Sequence, residues 1–169
     1  MSQPESMTHE MIVVAFDDEY KADEVLNTLK QLDVEATVDL KSAAVVKRDT
    51  EGKIRIRETS DFDAKQGAIG GALAGGVLGL LGGSLLRGAI LGAAGGALAG
   101  KGIDLGLNDE YLQGVGDSLG AGTSAIVALV AFERVERAMA ELDKFEGGTI
   151  LRHTLSDEVY RQLSDAVED

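Results

Sequence analysis

The chain has 169 residues, with 16 cationic and 29 acidic side chains and a formal net charge of -13. It contains no cysteine, which excludes a disulfide scaffold, a thiolate metal site and a cysteine nucleophile. The negative charge argues against a nucleic-acid-binding protein, because such a protein needs basic surface to neutralise phosphate. The length allows one domain, alone or with an insertion.

Glycine is the unusual residue, with 22 copies in the chain. Thirteen of them lie between Gly67 and Gly100, in a stretch whose only charged side chain is Arg87. Nearly all of the charge therefore belongs to the rest of the chain. This distribution divides the sequence into an acidic globular part and an almost uncharged segment of Gly, Ala and Leu.

The N-terminal part predicts a tail, a strand and a helix. Residues 1–10 are polar and contain the only proline, which indicates a loose tail. The apolar run Met11–Phe16 is rich in β-branched residues and predicts a strand. A helix follows, with Asp17 or Asp18 as its N-cap. Its inward face is formed by Val25, Leu26, Leu29 and Leu32.

A hairpin is predicted next. Two extended segments, residues 35–48 and 53–59, are separated by the turn signal Asp49–Gly52. Within the second segment, Ile54–Arg57 alternates between apolar and charged side chains, as in a strand with one buried face.

Similar elements return after the glycine-rich segment. In order, they are a helix at 109–113, a strand at 124–132, a helix at 133–145, a strand at 149–153 and a last helix, capped by Ser156, through Val167. Two βαβ units in one small chain predict an α+β fold, a ferredoxin-like βαβ/βαβ sandwich with an inserted Gly/Ala/Leu helical hairpin. The predicted parts are a tail at 1–10, a first half at 11–65, the hairpin at 66–102 and a second half at 103–169.

The glycines of the hairpin recur at every fourth residue, which places them on one face of each helix. The two runs are Gly67, Gly71, Gly75, Gly79 and Gly83, and then Gly88, Gly92, Gly96 and Gly100. Each glycine costs about 1 kcal/mol relative to alanine in a helix, so such a helix needs a close packing partner. We therefore predict that these nine glycines mediate helix packing and oligomerisation.

Three settings supply such a partner. The uncharged stretch 67–86 is about 30 Å long as a helix, which suffices to cross a bilayer, whereas the second arm, 88–100, is short. A membrane-associated hairpin is the interpretation that we favour at this point. The alternatives are a homo-oligomer that packs through the glycine stripes and, third, either a hairpin buried within its own chain or a disordered insert.

Three segments together resemble a known family. They are Met11–Phe16, the glycine stripe from Gly67 to Gly100, and Leu119–Val130, which joins a Gly-rich turn to an apolar strand. The chain resembles a bacterial and archaeal family that is catalogued as a domain of unknown function and labelled predicted membrane protein. The resemblance implies a membrane location and carries over no catalytic residue.

Candidate chemical motifs are weak. Gly95–Gly102 lacks the hydroxyl residue that a phosphate-binding loop needs after its lysine, and Gly114–Gly120 has the reverse of the Rossmann order. Asp17–Glu19 is interpreted as helix-capping rather than metal-binding, and His153 as structural. Nothing supplies a nucleophile with its base, so we expect no enzyme, no cofactor and no metal.

The functional prediction is a non-enzymatic, membrane-associated protein whose hairpin anchors and self-associates. Its partners would be membrane lipid, itself or both, and no nucleic acid, with the acidic domain in the cytoplasm. The first alternative is a soluble, cytoplasmic, self-assembling scaffold or stress-related protein. The second is a small-ligand-binding ferredoxin-like domain, which depends on fold analogy.

Overall fold

The structure is a computed structural model, and it describes residues 7–58, 64–81 and 105–168. The elements in chain order are β1 (Met7–Phe16), α1 (Lys21–Val34), β2 (Leu40–Arg48), β3 (Ile54–Glu58), α2 (Ala64–Leu81), α3 (Asp109–Ser118), β4 (Thr123–Ala131), α4 (Val135–Leu142), β5 (Thr149–Ser156) and α5 (Asp157–Glu168). A 3-10 helix, Phe132–Arg134, joins β4 to α4.

The five strands form one sheet in the order β3-β2-β4-β1-β5. Every neighbouring pair is antiparallel, with Val13 opposite both Val127 and Leu151, and Val45 opposite Ile126. The expected α+β class is thereby confirmed, as a five-stranded antiparallel sheet with five α-helices among the described residues.

Strand β4 lies at the centre of the sheet, as its apolar run predicts. All nine of its residues are buried, and it bonds to β1 on one side and β2 on the other. A strand that is covered on both faces needs no polar alternation, which explains the uninterrupted apolar sequence.

Helices cover both faces of the sheet. On one side, which we call the α1/α4 face, Ile12 and Val14 of β1 pack with the inward stripes of α1 and α4. On the other, the α2/α3/α5 face, Met11 and Val13 pack with residues of α2, α3 and α5. Because successive strand residues point to opposite faces, β1 contributes alternately to two cores.

Several strands and helices begin or end at other residues than predicted. Strand β1 begins at Met7, so His9 and Glu10 belong to a strand and are buried, although residues 1–10 were expected to form a tail. The segment before β2 was expected to be extended from residue 35, but the chain turns there, with Ala36 at φ 61°, and the strand begins at Leu40. Helix α4 ends at Leu142, before the expected Phe145.

The first arm of the predicted hairpin is helix α2, and it packs against the sheet of its own chain. Every residue from Ile69 to Gly75 is buried, which is two full turns of helix. A close approach occurs at Gly70, where an added Cβ atom would lie 2.6 Å from Ser42 Oγ and 2.7 Å from the carbonyl oxygen of Ala43 in β2. The glycine-rich composition therefore allows the helix backbone to approach the strand backbone. The second arm and the bend lie outside the described residues.

No helix among residues 7–58, 64–81 and 105–168 is long and apolar enough to cross a membrane. The predicted transmembrane helix, and the membrane assignment that depended on it, are contradicted by this finding. The physical reason lies in α2, where six of 18 residues are glycine, which adds little hydropathy. Its apolar side chains, such as Leu73 and Val77, are buried in the core of the domain.

Candidate functional site

The β2–β3 hairpin has a charge opposite to that of the whole protein. Residues 47–57 carry five cationic side chains and two carboxylates, in a chain whose net charge is -13. The turn of this hairpin forms as predicted, with the Gly52 amide donating to the Asp49 carbonyl at 2.9 Å and Gly52 at φ 86°.

Two of these cations lie directly opposite each other. Lys47 of β2 and Arg55 of β3 are cross-strand partners, and their side chains share the α1/α4 face with Val45. Arg57 follows on the same face of β3. Like charges directly opposite each other on a sheet are destabilising. The first turn of α1 supplies one counter-charge, Asp23, whose carboxylate pairs with both Lys47 and Arg57.

A cleft opens where this hairpin meets the turn before α1, and we call it the cationic cleft. Its volume is about 300 Å³, and its lining is Glu19, Tyr20, Lys47, Asp49, Lys53 and Arg55. A volume of this size is at the lower end of the range for small-molecule sites.

The two walls of the cleft are held by local hydrogen bonds. The Asp18 carboxylate accepts from the amides of Tyr20 at 2.7 Å and Lys21 at 3.1 Å, which fixes the entry to α1. The Asp49 carboxylate accepts from the amides of Glu51 at 3.0 Å and Lys53 at 2.9 Å. The predicted N-cap, Asp17 or Asp18, is wrong, because the N-cap of α1 is Tyr20, which makes no side-chain capping bond. Asp18 instead stabilises the turn that leads into the helix.

Two of the three cations in the cleft are available to a ligand. Lys47 is engaged by Asp23, and its ammonium also lies 4.9 Å from the centre of the Tyr20 ring. Lys53 and Arg55 are exposed, and neither side chain forms an ion pair with any residue in the described ranges. An arginine and a lysine in such a position can bind a phosphate or carboxylate by charge-assisted hydrogen bonds.

A second polar group is buried between β1 and β5. Glu10 is 3% exposed, and its carboxylate accepts from Arg152 Nε at 3.2 Å and Thr154 Oγ1 at 2.8 Å. Arg152 also reaches Glu136 of α4, at 3.5 Å. Every partner belongs to a neighbouring element, so this group fastens the edge strand β5 to the sheet.

Both histidines have structural contacts. His9 stacks on Tyr160 of α5, with ring centres 3.9 Å apart. Burial, with a smaller contribution from Lys41, lowers the pKa of His9 below 6.5. His153 Nε2 lies 2.8 Å from the carbonyl oxygen of Leu105. Nearby, burial and the Glu10 carboxylate raise the pKa of Tyr111 above its ordinary value.

The predicted glycine positions differ in their surroundings. Gly67, Gly71 and Gly75 are buried in the domain, whereas Gly79 is exposed, and a Cβ atom added there would meet open space. Gly83, Gly88, Gly92, Gly96 and Gly100 lie outside the described residues, as does Gly95–Gly102. Oligomerisation through the stripe stays a prediction.

The other candidate motifs also have assigned places. Gly114 and Gly116 belong to helix α3, which runs on to Ser118 rather than ending in a loop at residue 113. Of the acidic triplet, Glu19 lines the cationic cleft. No cluster of three or more side chains that could hold a metal ion occurs in the part of the chain that the structure describes.

The cationic cleft was missed at the level of sequence. The residues come from the β1–α1 turn and from the β2–β3 hairpin, and only the packing of α1 beside β2 brings these segments together. One signal was readable, namely the local excess of cations between Lys47 and Arg57 in an otherwise acidic chain.

No curated protein and no solved structure gives a significant match to the chain. A family model, described as Protein of unknown function (DUF1269), matches residues 68–168, which extend from α2 into α5. The chain therefore belongs to the DUF1269 family, in agreement with the expected resemblance to a family of unknown function.

Proposed function

We propose that this chain is a binding domain that takes a small anion in the cationic cleft. The observation that supports the proposal is the cross-strand pair of Lys47 and Arg55, which lines a cavity together with Lys53. The two cations repel each other, and a bound anion would relieve that repulsion. Of the three cations that line the cleft, only Lys47 pairs with Asp23, so Lys53 and Arg55 keep their positive charge for a ligand.

The fold that we propose for this domain is ferredoxin-like. The units β1-α1-β2 and β4-α4-β5 would form its core, with β3, α2, α3 and α5 added to it. Two features support this topology: the strand order β2-β4-β1-β5 and the packing of α1 and α4 on the same face. The cleft then lies at the edge where β3 extends the core sheet.

We propose binding rather than catalysis. The described lining of the cleft contains no serine, threonine, cysteine or histidine that a neighbouring base could activate. Its carboxylates are also committed elsewhere in part, since one oxygen of Asp49 accepts two amides of the hairpin turn.

The test is thermal unfolding in phosphate and in chloride at matched ionic strength. A ligand that binds only the folded state raises the unfolding temperature, by about 3–5 °C at a tenfold excess over its Kd for a chain of this size. The double substitution Lys53→Gln/Arg55→Gln should abolish the shift. Arg161→Gln, on the opposite face of the sheet, is the matched control and should keep it. Equal shifts in all three proteins would contradict the proposal.

Self-association through the part of the glycine stripe from Gly79 onward is a second proposal. Exposed Gly79, with open space around it, supports a contact at the end of α2. Light scattering in detergent-free buffer tests this: assemblies should form, and Gly79→Leu or Gly92→Leu should make them smaller. A monomeric wild-type protein would contradict it.

A further inference from the structure

The cationic cleft contains one feature that simple anion binding does not use, namely the ring of Tyr20. This side chain is 66% exposed, whereas the chain's other two tyrosines, Tyr111 and Tyr160, pack against the core. The Tyr20 ring lines the cleft beside the cations Lys47 and Arg55, where an aromatic face can stack on a flat ligand group.

The position of the Tyr20 ring is constrained from two sides. Its backbone amide is bound by the Asp18 carboxylate at 2.7 Å. The Lys47 ammonium lies 4.9 Å from the ring centre, in a cation–π contact. Lys47 is in turn held by Asp23. The backbone of Tyr20 is thus held by Asp18 and its ring by Lys47, so stacking of a flat ligand group on the ring would cost less conformational entropy than stacking on an uncontacted side chain.

The opposite wall is suited to a single phosphate. Arg55 offers a planar fork of donors that matches phosphate oxygens, and Lys53 adds a point charge from the hairpin turn. The walls also carry Glu19 and Asp49. These carboxylates would repel a long polyanion, but they can accept hydrogen bonds from hydroxyl or amino groups of a ligand with low charge.

Resting on the anion-binding function proposed above, we infer that the ligand of the cationic cleft is a mononucleotide. Its phosphate is bound by Lys53 and Arg55, and its base stacks on Tyr20. Glu19 accepts hydrogen bonds from the sugar hydroxyls or the base amino group. The cleft volume of about 300 Å³ lies in the range of small-molecule sites, as a mononucleotide requires.

The experiment is isothermal titration of the full chain with three probes: inorganic phosphate, ribose 5-phosphate and adenosine 5′-monophosphate. Base stacking on an aromatic side chain strengthens binding substantially, so we expect the nucleotide to bind about tenfold more tightly than ribose 5-phosphate. Tyr20→Leu should remove this difference and leave the affinity for ribose 5-phosphate unchanged. Tyr20→Phe, which keeps the ring, should preserve the difference.

Two further variants separate the walls of the cleft. Arg55→Gln should lower the affinity for each of the three probes by about tenfold, as expected for the loss of a charge-assisted phosphate contact. Arg161→Gln should change none of them. Equal affinities for the nucleotide and ribose 5-phosphate, or a difference that survives Tyr20→Leu, overturn the nucleotide inference while anion binding stands. Failure of all three probes to bind overturns both.

Discussion

The two faces of the sheet are covered by helices of contrasting composition. On the α1/α4 face, α1 buries one stripe, formed by Ala22, Val25, Leu26 and Leu29, and exposes charged side chains on its other side. On the α2/α3/α5 face, α2 is buried all round between Ile69 and Gly75. A glycine-rich helix that is uncharged from Gln66 onward can therefore be deeply buried in an acidic domain.

The difference follows from how near each helix approaches the sheet. A helix with large apolar side chains stands off from the strands by the length of those side chains. Gly70 removes that spacing, and the backbone of α2 meets the backbone of β2 at Ala43. The cost of glycine in a helix, about 1 kcal/mol each, is offset by packing that solvent-exposed helices lack.

The largest effect is expected from adding one methyl group to α2, which tests whether its backbone packs directly on β2. In Gly70→Ala the new Cβ atom would lie 2.7 Å from the Ala43 carbonyl oxygen, so we expect a loss of about 3 kcal/mol in the free energy of unfolding. Gly79→Ala, where the space is open, should instead gain up to about 1 kcal/mol from helix propensity. Urea denaturation measures both, and similar effects would show that α2 does not approach β2 closely.

The next effect tests the polar group on the α1/α4 face. Arg152→Met leaves the Glu10 carboxylate buried without its cation, and we expect a loss of about 2 kcal/mol. Arg161→Met is the control, because Arg161 pairs with Asp157 at the surface and should contribute less than about 0.5 kcal/mol. Equal losses in the two variants would mean that the Glu10 group does not fasten β5.

The polar residue on the opposite face, His9, predicts a pH dependence. Burial and Lys41 lower its pKa in the folded state, against weaker opposing effects of Asp157 and Asp39. Well above pH 6.5 the ring is neutral in both states, and its contribution to stability is complete. As the pH falls below 6.5, the unfolded chain binds the proton first, so stability is lost.

The variant His9→Phe keeps a ring to stack on Tyr160 but cannot titrate. Its free energy of unfolding should therefore fall less steeply than that of the wild type between pH 7 and pH 5, as measured by urea denaturation at each pH. Carboxylates titrate in both proteins and cancel in the comparison. Identical slopes would remove His9 as the cause.

The smallest effect concerns the cationic cleft. Without added anion, Arg55→Gln removes the charge opposite Lys47 and should stabilise the fold by about 0.5 kcal/mol. Phosphate should reverse the order of the two proteins, because it binds the wild type more tightly and so stabilises it more than the variant. Thermal unfolding in both buffers makes the measurement. A variant less stable than the wild type in chloride would show that the pair does not repel.

Strands and amphipathic helices were predictable because their side chains carry a period. The apolar run of β4 indicates its central place, and the stripe of α1 is buried as expected, with Leu32 packed at its margin. Ser156 caps α5 as predicted, accepting from the Val159 amide at 3.2 Å. Local hydrogen-bonding rules sufficed at these positions.

The environment of α2 was not predictable in the same way. A helix that is apolar all round has the same sequence whether its surroundings are lipid, a second copy or its own sheet. In addition, Gly70, which makes the close contact with β2, is not one of the glycines that recur at every fourth residue, so it was not among the predicted packing positions. The cationic cleft depends on the packing of α1 beside the β2–β3 hairpin, which no local pattern records.

The central place of β4 has a consequence for how the protein is made. Strands β1 and β2 do not bond to each other, because each bonds to a separate edge of β4. The sheet therefore cannot form completely until residue 131 has left the ribosome. Until then, β1 and β2 lack β4, the strand to which both of them bond. Pairings between such distant segments form slowly. Mutations that weaken β4 should therefore reduce the yield of newly synthesised protein more than the stability of protein that has already folded.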